Sequence, residues 1–260
     1  MTYENIRLEY RDRVAVLTLN APEVLNALSN AMVSELHDAI VQVINSEARC
    51  LLMTGEGRAF SAGANLQQRG RDNGPAAPGS ALETHYHPVM TKLRKMEIPM
   101  VTAINGPAVG VGMSFAVMAD YALAAKSAYF LQAFANIGLV PDGGSTWLLA
   151  RTIGRARAME MALLGEKVSA EQAMSWGLVN RVVEDADLRP TALDFAQKLA
   201  TGPTVALALT RKLIWEASES DMGSALHGER VAQRTAGRTS DFREGVSAFL
   251  QKRPAEFKGK

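Results

Sequence analysis

The chain predicts an α/β fold with a helical C-terminal quarter, on three observations. Short apolar runs of strand character, Cys50 to Thr54 and Met100 to Ile104, alternate with stretches whose apolar residues recur at the helical period. Both runs lead into segments of small residues, Phe60-Ser61-Ala62-Gly63-Ala64-Asn65-Leu66 and Asn105-Gly106-Pro107-Ala108-Val109-Gly110-Val111-Gly112-Met113. From Leu188 onward the strand signals stop and helical periods follow one another. Strands that alternate with helices imply parallel pairing through crossover units.

The elements follow in order. Asn5 to Tyr10 and Val14 to Leu19 alternate as two strands around the Arg11-Asp12-Arg13 turn. After a loop from Asn20 to Leu28, Ser29 caps a helix whose apolar face is Met32, Leu36, Ile40, Val43 and Ile44. Between the two small-residue segments, Gln67 to Ser80 is a polar loop rich in Gly, Pro and Arg, the composition of a binding loop or lid. A helix runs from Met113 to Ala119, followed by strand-like Tyr121 to Ala125 and Ala128 to Gln132. Gly144 to Ala150 and Arg155 to Leu164 are helical, the latter with Ala158, Met161 and Ala162 on one face. Ser169-Ala170-Glu171-Gln172 is a capping box, and Gly177 ends its helix. Leu188 to Thr201, Pro203 to Ser218, Met222 to Thr235 and Ser240 to Lys252 are the closing helices.

With 260 residues, 47% of them hydrophobic, the chain can bury a sizeable core in one domain or in one domain with a helical appendage. A net charge of +1 gives no global attraction for nucleic acid or a membrane surface, so any acidic ligand must be held locally. The single cysteine, Cys50, sits in an apolar run and reads as a buried, inert thiol in a reducing compartment. No leader and no uninterrupted apolar span is present, which makes the cytoplasm the default location. His85 and His87 are two apart, face different ways on a helix and lack a ligand cluster, so no metal is expected.

Small side chains leave backbone N–H groups open to a ligand, and those of the second segment lie where a helix begins and partial positive charge collects. Taken alone, each segment is equally a tight turn between a strand and a helix. Side by side, the two would form an oxyanion hole.

The two segments and a third, Ile137-Gly138-Leu139-Val140-Pro141-Asp142-Gly143-Gly144-Ser145-Thr146-Trp147, occur in an order and spacing that resemble the crotonase, or enoyl-CoA hydratase/isomerase, superfamily. The resemblance runs from Glu4 to the C-terminus. It implies a crotonase-like ββα spiral core over residues 1–200 and a C-terminal helical trimerisation region over 201–260, assembled as a homotrimer or a dimer of trimers. It implies an acyl-CoA substrate and no separate cofactor, coenzyme A being part of the substrate. The N–H groups of Ala64 and Val111 would then hold the thioester oxygen as a proton leaves the neighbouring carbon. Glu23, Val24 and Leu25 would touch coenzyme A. Ala62, Ala64, Asn65, Leu66, Gly110, Phe134 and Pro141 would line the substrate site, and Phe249 and Lys252 would approach the coenzyme A of a neighbouring subunit. Arg69 and Arg71 would either reach a CoA phosphate or stand as solvated loop charges.

The chain departs from the family pattern in four places. Val111 stands where many relatives have Gly, which narrows the space beside the thioester, and Asn65 replaces the usual Asp. The two glutamates of the superfamily's hydratases match Ser114 and Phe134 here, and neither can activate a water. The run from Gly138 to Gly165 is similar to the family's ring-epoxide isomerase branch, in which an aspartate matching Asp142 carries the proton. Apolar Phe134 and Val140 beside it would raise its pKa. The leading expectation is therefore an acyl-CoA isomerase. The alternatives are an enoyl-CoA hydratase with an atypical site and a non-catalytic acyl-CoA- or RNA-binding relative. The near-neutral charge and the lack of an aromatic-studded basic stripe speak against RNA.

Overall fold

A computed structural model describes residues 2–66 and 79–260. Gln67–Pro78, with Arg69 and Arg71, lie outside the described residues.

Strands β1 (Ile6–Arg11) and β2 (Val14–Leu19) form the expected antiparallel hairpin. A short turn of helix at Pro22–Val24 leads to α1 (Asn30–Ile44), where the Ser29 hydroxyl accepts from Met32 N at 3.0 Å. Next come β3 (Cys50–Gly55), a π-helical turn over Leu82–Tyr86, α2 (His87–Lys95) and β4 (Met100–Ile104). The two-residue β5 (Ala108–Val109) runs into α3 (Val111–Val117), followed by β6 (Tyr121–Ala125) and β7 (Tyr129–Leu131). After these come α4 (Ser145–Thr152), α5 (Gly154–Leu164), β8 (Val168–Ser169), α6 (Ala170–Ser175), β9 (Arg181–Val183) and α7 (Leu188–Ala200). Helices α8 (Thr204–Ala217), α9 (Met222–Ala236) and α10 (Ser240–Gln251) close the chain.

Six strands form one sheet in the order β1-β2-β3-β4-β6-β9, parallel from β2 onward. Every residue of β2, β3 and β4 is buried, as a parallel sheet covered on both faces requires. Helix α7 presents Leu188, Ala192, Ala196 and Ala200, spaced by four, so a stripe of mostly small side chains packs against the sheet. A second sheet has the order β5-β7-β8, with β5 parallel and β8 antiparallel to β7. Cys50 is fully buried, and burial pushes its thiol well above the usual range, which leaves it unreactive. Among the described residues no helix is long and apolar enough to cross a membrane.

Several expectations shift. Helix α3 begins at Val111 rather than Met113, because Gly110 takes the turn and caps it. Ile44, placed on the buried face of α1, is 47% exposed at the helix end, and of α5 only Met161 is buried. Strands β8 and β9, two and three residues long, are too short to carry a periodic signal.

The helical C-terminal part is bolted to the core by polar side chains. Arg211 on α8, 7% exposed, donates to Asp120 Oδ2 at 2.7 Å and to the carbonyls of Arg94 (2.6 Å), Met96 (2.8 Å) and Leu93 (2.8 Å) at the end of α2. Asp120 Oδ2 also accepts from Met100 N at 2.8 Å, and the Trp215 indole N–H reaches Oδ1 at 3.4 Å. One guanidinium thus satisfies the C-terminal carbonyls of α2 and the carboxylate just before β6 that holds the first amide of β4. The last residues fold back: Asp241 accepts from Lys258 N (2.7 Å) and Gly259 N (2.8 Å), and Arg49 donates to Phe257 O (3.3 Å) and to Gly202 O. Glu244 takes two bonds from Arg253, at 2.6 and 2.8 Å, which hold its carboxyl down at about 2.

Removing Arg211 takes the guanidinium from the Asp120 carboxylate and from three carbonyls at the end of α2. Arg211→Ala is expected to cost about 3 kcal/mol in urea unfolding, and Arg211→Lys to recover little, since a single ammonium lacks the fork. The depressed Glu244 carboxyl contributes stability that is complete above its ordinary value, roughly 4.3, and is lost as the pH falls toward 2. Hydrogen exchange at Glu256 N–H, which donates to Glu244 Oε1 at 2.9 Å, should accelerate across that window in the native chain. In Glu244→Gln it should show no such step.

Candidate active site

Strands β3 and β4 pair in parallel, Leu51 opposite Met100 through Thr54 opposite Ala103, so both release their chains at the same edge of the sheet. The two small-residue segments therefore leave together and bond to each other. Pro107 O accepts from Phe60 N (3.1 Å) and Ser61 N (3.0 Å), and Val109 N donates to Ser61 O at 2.9 Å. Contact is closest at Gly63, where a Cβ would lie 2.8 Å from Val109 O and 3.8 Å from Gly110 Cα. No other residue allows this approach.

Two asparagines, Asn26 fully buried and Asn105 partly buried, secure the arrangement. Asn26, fully buried with φ +53°, accepts from Ala21 N at 2.9 Å and donates to Glu56 O (2.9 Å) and Ala59 O (2.8 Å). Asn105 accepts from Gly55 N (3.1 Å) and donates to Gly57 O (2.8 Å) and Ala59 O (3.1 Å). The Ser61 hydroxyl donates to Asn26 O at 2.8 Å and accepts from Gly63 N at 3.2 Å. These bonds draw the 20–28 loop onto the first segment: Ala62 N donates to Leu25 O (2.9 Å), Leu28 N to Gly63 O (2.7 Å) and Asn65 N to Leu28 O (3.0 Å). Leu25 is thus bonded to Ala62 and Leu28 bridges Ala64, while Glu23 and Val24, just before them, are exposed. Polar residues with left-handed φ are a signal of such loops, and Asn26 carried it.

Amides next to the expected donors are engaged: Gly63 N donates to Ser61 Oγ at 3.2 Å, Asn65 N to Leu28 O at 3.0 Å and Gly110 N to Leu131 O at 2.8 Å. Those of Ala64 and Val111 donate to no acceptor among the described residues. Val111 N is the first amide of α3, and the Val111 side chain is buried. Phe134, 8% exposed, lies against Gly110, its Cζ 3.5 Å from where a Cβ would stand.

The third segment closes on the head of α3. A Cβ on Gly143, at φ +60°, would meet Val111 Cγ2 at 2.8 Å and Ser114 Oγ at 3.1 Å. Asp142 is half-buried, and its Oδ1 is shielded from solvent. Its backbone carbonyl accepts from Ser114 Oγ (3.1 Å), Ser145 Oγ (2.9 Å) and Ser145 N (3.1 Å). Ala64, Val111 and Asp142, named from separate segments, therefore belong to one cluster with Ala62, Gly110, Phe134 and the half-buried Pro141. The expectation that Val140 shields Asp142 is corrected: Val140 is 80% exposed, and the turn directs it outward, so Phe134 alone of the two is buried. Leu66 is exposed at the margin of the described residues. Phe249 and Lys252 lie on and just beyond α10, Phe249 in a groove of about 610 Å³ between α8, α9 and α10 rather than in this cluster. Among the described residues no group of three His, Cys, Asp or Glu side chains converges to hold a metal.

A family model for enoyl-CoA hydratase/isomerase matches residues 9–260. The 1,2-epoxyphenylacetyl-CoA isomerase of Escherichia coli is 47% identical over 250 residues, 95% of each chain. The short-chain-enoyl-CoA hydratase of Clostridium acetobutylicum is 32% identical over 258 residues, 98% of each. The crystal structure of an enoyl-CoA hydratase from Bacillus anthracis superposes with a TM-score of 0.94 at 31% identity, over 99% of this chain and 100% of that one.

Two adjacent glycines separate backbone strain from packing. Gly144 has φ +78° and open space where its Cβ would stand, whereas Gly143 has a positive φ and Val111 against it. Gly144→Ala is expected to cost about 1 kcal/mol, the left-handed penalty alone. Gly143→Ala should cost about 1–3 kcal/mol more in denaturant unfolding, because Val111 and Ser114 must give way.

Proposed function

The chain belongs to the enoyl-CoA hydratase/isomerase family, whose members act on CoA thioesters as isomerases or hydratases, and on that footing we propose that it is an acyl-CoA isomerase. Asp142 takes a proton from the carbon next to the thioester carbonyl. The electron pair left behind moves onto the carbonyl oxygen, where the N–H groups of Ala64 and Val111 stabilise the enolate by several kcal/mol in a site shielded from water. The same proton returns from Asp142 to the γ carbon, the carbonyl reforms, and the double bond has moved by one position. Atoms and charge balance with no cofactor, coenzyme A being part of the substrate.

The observation that carries this reading is the position of Asp142. It is the one carboxylate of the three segments, it is partly withdrawn from solvent, and its turn packs on the helix whose first amide belongs to Val111. The two positions that match the hydratase glutamates hold Ser114 and Phe134, both buried and neither able to deprotonate a water. The 47% identity to an isomerase that acts on a ring-epoxidised phenylacetyl-CoA supports the same reaction class. A hydratase with an atypical site is the second reading, favoured by the likeness to the short-chain-enoyl-CoA hydratase.

We also propose that α8–α10 build a homotrimer, or a dimer of trimers, in which Phe249 and Lys252 face the coenzyme A of a neighbour. Phe249 is 83% and Leu250 73% exposed in the single chain, and apolar surface of that kind marks an association face.

One panel of acyl-CoA thioesters decides between the readings: β,γ-unsaturated, α,β-unsaturated and ring-epoxidised arylacetyl members, assayed for isomerisation and for water addition. Isomerisation is expected to dominate, and Asp142→Asn should lower its kcat by at least about 100-fold, the scale of a lost acid–base group. Hydration that persists at full rate in Asp142→Asn would remove the proposal.

A further inference from the structure

We infer that Ser114 and Ser145 are positioning residues for Asp142, and that Ser114 holds the proton-carrying turn in the place where a hydratase glutamate would have to stand. The inference rests on the isomerase reading above and deepens it. Both serines are fully buried, and both hydroxyls donate to the same acceptor, the Asp142 carbonyl, at 3.1 and 2.9 Å. Ser145 N supplies a third donor at 3.1 Å. A buried carbonyl needs one donor to be satisfied. Three donors, one of them from a different element, restrict the peptide that carries the Asp142 side chain beyond what burial alone asks.

The Ser114 bond also joins the two halves of the chemistry. Ser114 lies on α3 one turn after Val111, and the turn it holds is the one whose Gly143 touches both residues. The proton carrier is therefore referenced to the same helix as the second oxyanion donor, and a displacement of one carries the other with it. Space is the other consequence. Ser114 is fully buried and its Oγ already lies 3.1 Å from the Asp142 carbonyl, so a longer side chain extended the same way would meet that carbonyl and displace the turn. A glutamate at 114 and an aspartate at 142 in this turn exclude one another, which makes Ser114 a determinant of the reaction as well as of geometry.

The test compares Ser114→Ala and Ser145→Ala with Asp142→Asn, following a short β,γ-unsaturated acyl-CoA as it converts to its α,β isomer. Each serine variant is expected to lower kcat by about tenfold, the scale of one lost hydrogen bond, with KM changed less than about threefold. In the Asp142→Asn background the serine changes should add nothing, because they act through that carboxylate. Full kcat in both serine variants, with Asp142→Asn inactive, would overturn the positioning role and leave the isomerase reading in place. A serine effect undiminished in the Asp142→Asn background would also overturn it, since that marks a general structural role. Full activity in Asp142→Asn would overturn both. Ser114→Glu supplies the steric arm: it should abolish isomerisation while the chain remains folded by circular dichroism, and retained isomerisation would refute the exclusion.

Discussion

The site depends on a contact that admits no side chain. Gly63 meets the carbonyl of Val109 so closely that the two segments behave as one edge-to-edge ribbon, bonded again at Pro107 and Ser61. That ribbon exists because β3 and β4 are parallel and in register, which delivers both loops to the same rim of the sheet. An oxyanion site needs donors fixed before charge develops, since donors that reorganise during the reaction return much of their benefit. In the proposed site the fixing is done by main-chain bonds and by Asn26 and Asn105, not by Ala64 and Val111 themselves.

The C-terminal part rests on a related economy. Arg211 places one charge where the end of α2 and the start of β4 meet, and Trp215 of the same helix reaches the same carboxylate, so α8 is aligned with the core by directional bonds as well as by the stacking of Trp215 on Trp147. The apolar residues of α10 consequently remain outside: Phe249 and Leu250 are exposed while Asp241 and Arg49 are buried beneath the tail. Such an inversion, with polar groups inside and large apolar groups outside, is expected of an element that completes its burial against another copy.

What the sequence disclosed follows from the range over which each signal acts. Strands β1 to β4 and helices α1, α7 and α10 were legible because amphipathic periods and caps are local, as Ser29 accepting from Met32 N shows. The segments carrying Ala64, Val111 and Asp142 were legible as small-residue runs, and their order matched a family. That they converge was not legible, since it depends on sheet register and on the clearance at Gly63 and Gly143. Asn26, Ser61 and Ser114 were missed in their supporting roles because each acts through a carbonyl distant in the chain, and Ser145 because its bond to the nearby Asp142 carbonyl has no sequence signature. Val140 misled in the other direction: an apolar residue next to an aspartate was read as its wall, and the turn sends the side chain to the surface.

The replacement of an acid by a serine on α3 is then not a simple loss. In a two-glutamate arrangement the helix face one turn past the second oxyanion donor carries a carboxylate, and the following turn must leave room for it. In this chain that face carries a hydroxyl short enough for the turn to settle against it, with Gly143 removing the last obstacle. The turn can then bring a carboxylate of its own, from Asp142, on a backbone held by two hydroxyls. A carboxyl delivered on a turn arrives from another direction than one delivered on the helix, with a single group to take and return the proton. Addition of water calls for two groups acting on one molecule, whereas migration of a double bond calls for one group serving two carbons. On the proposed reading, the hydroxyl at Ser114 suits the second.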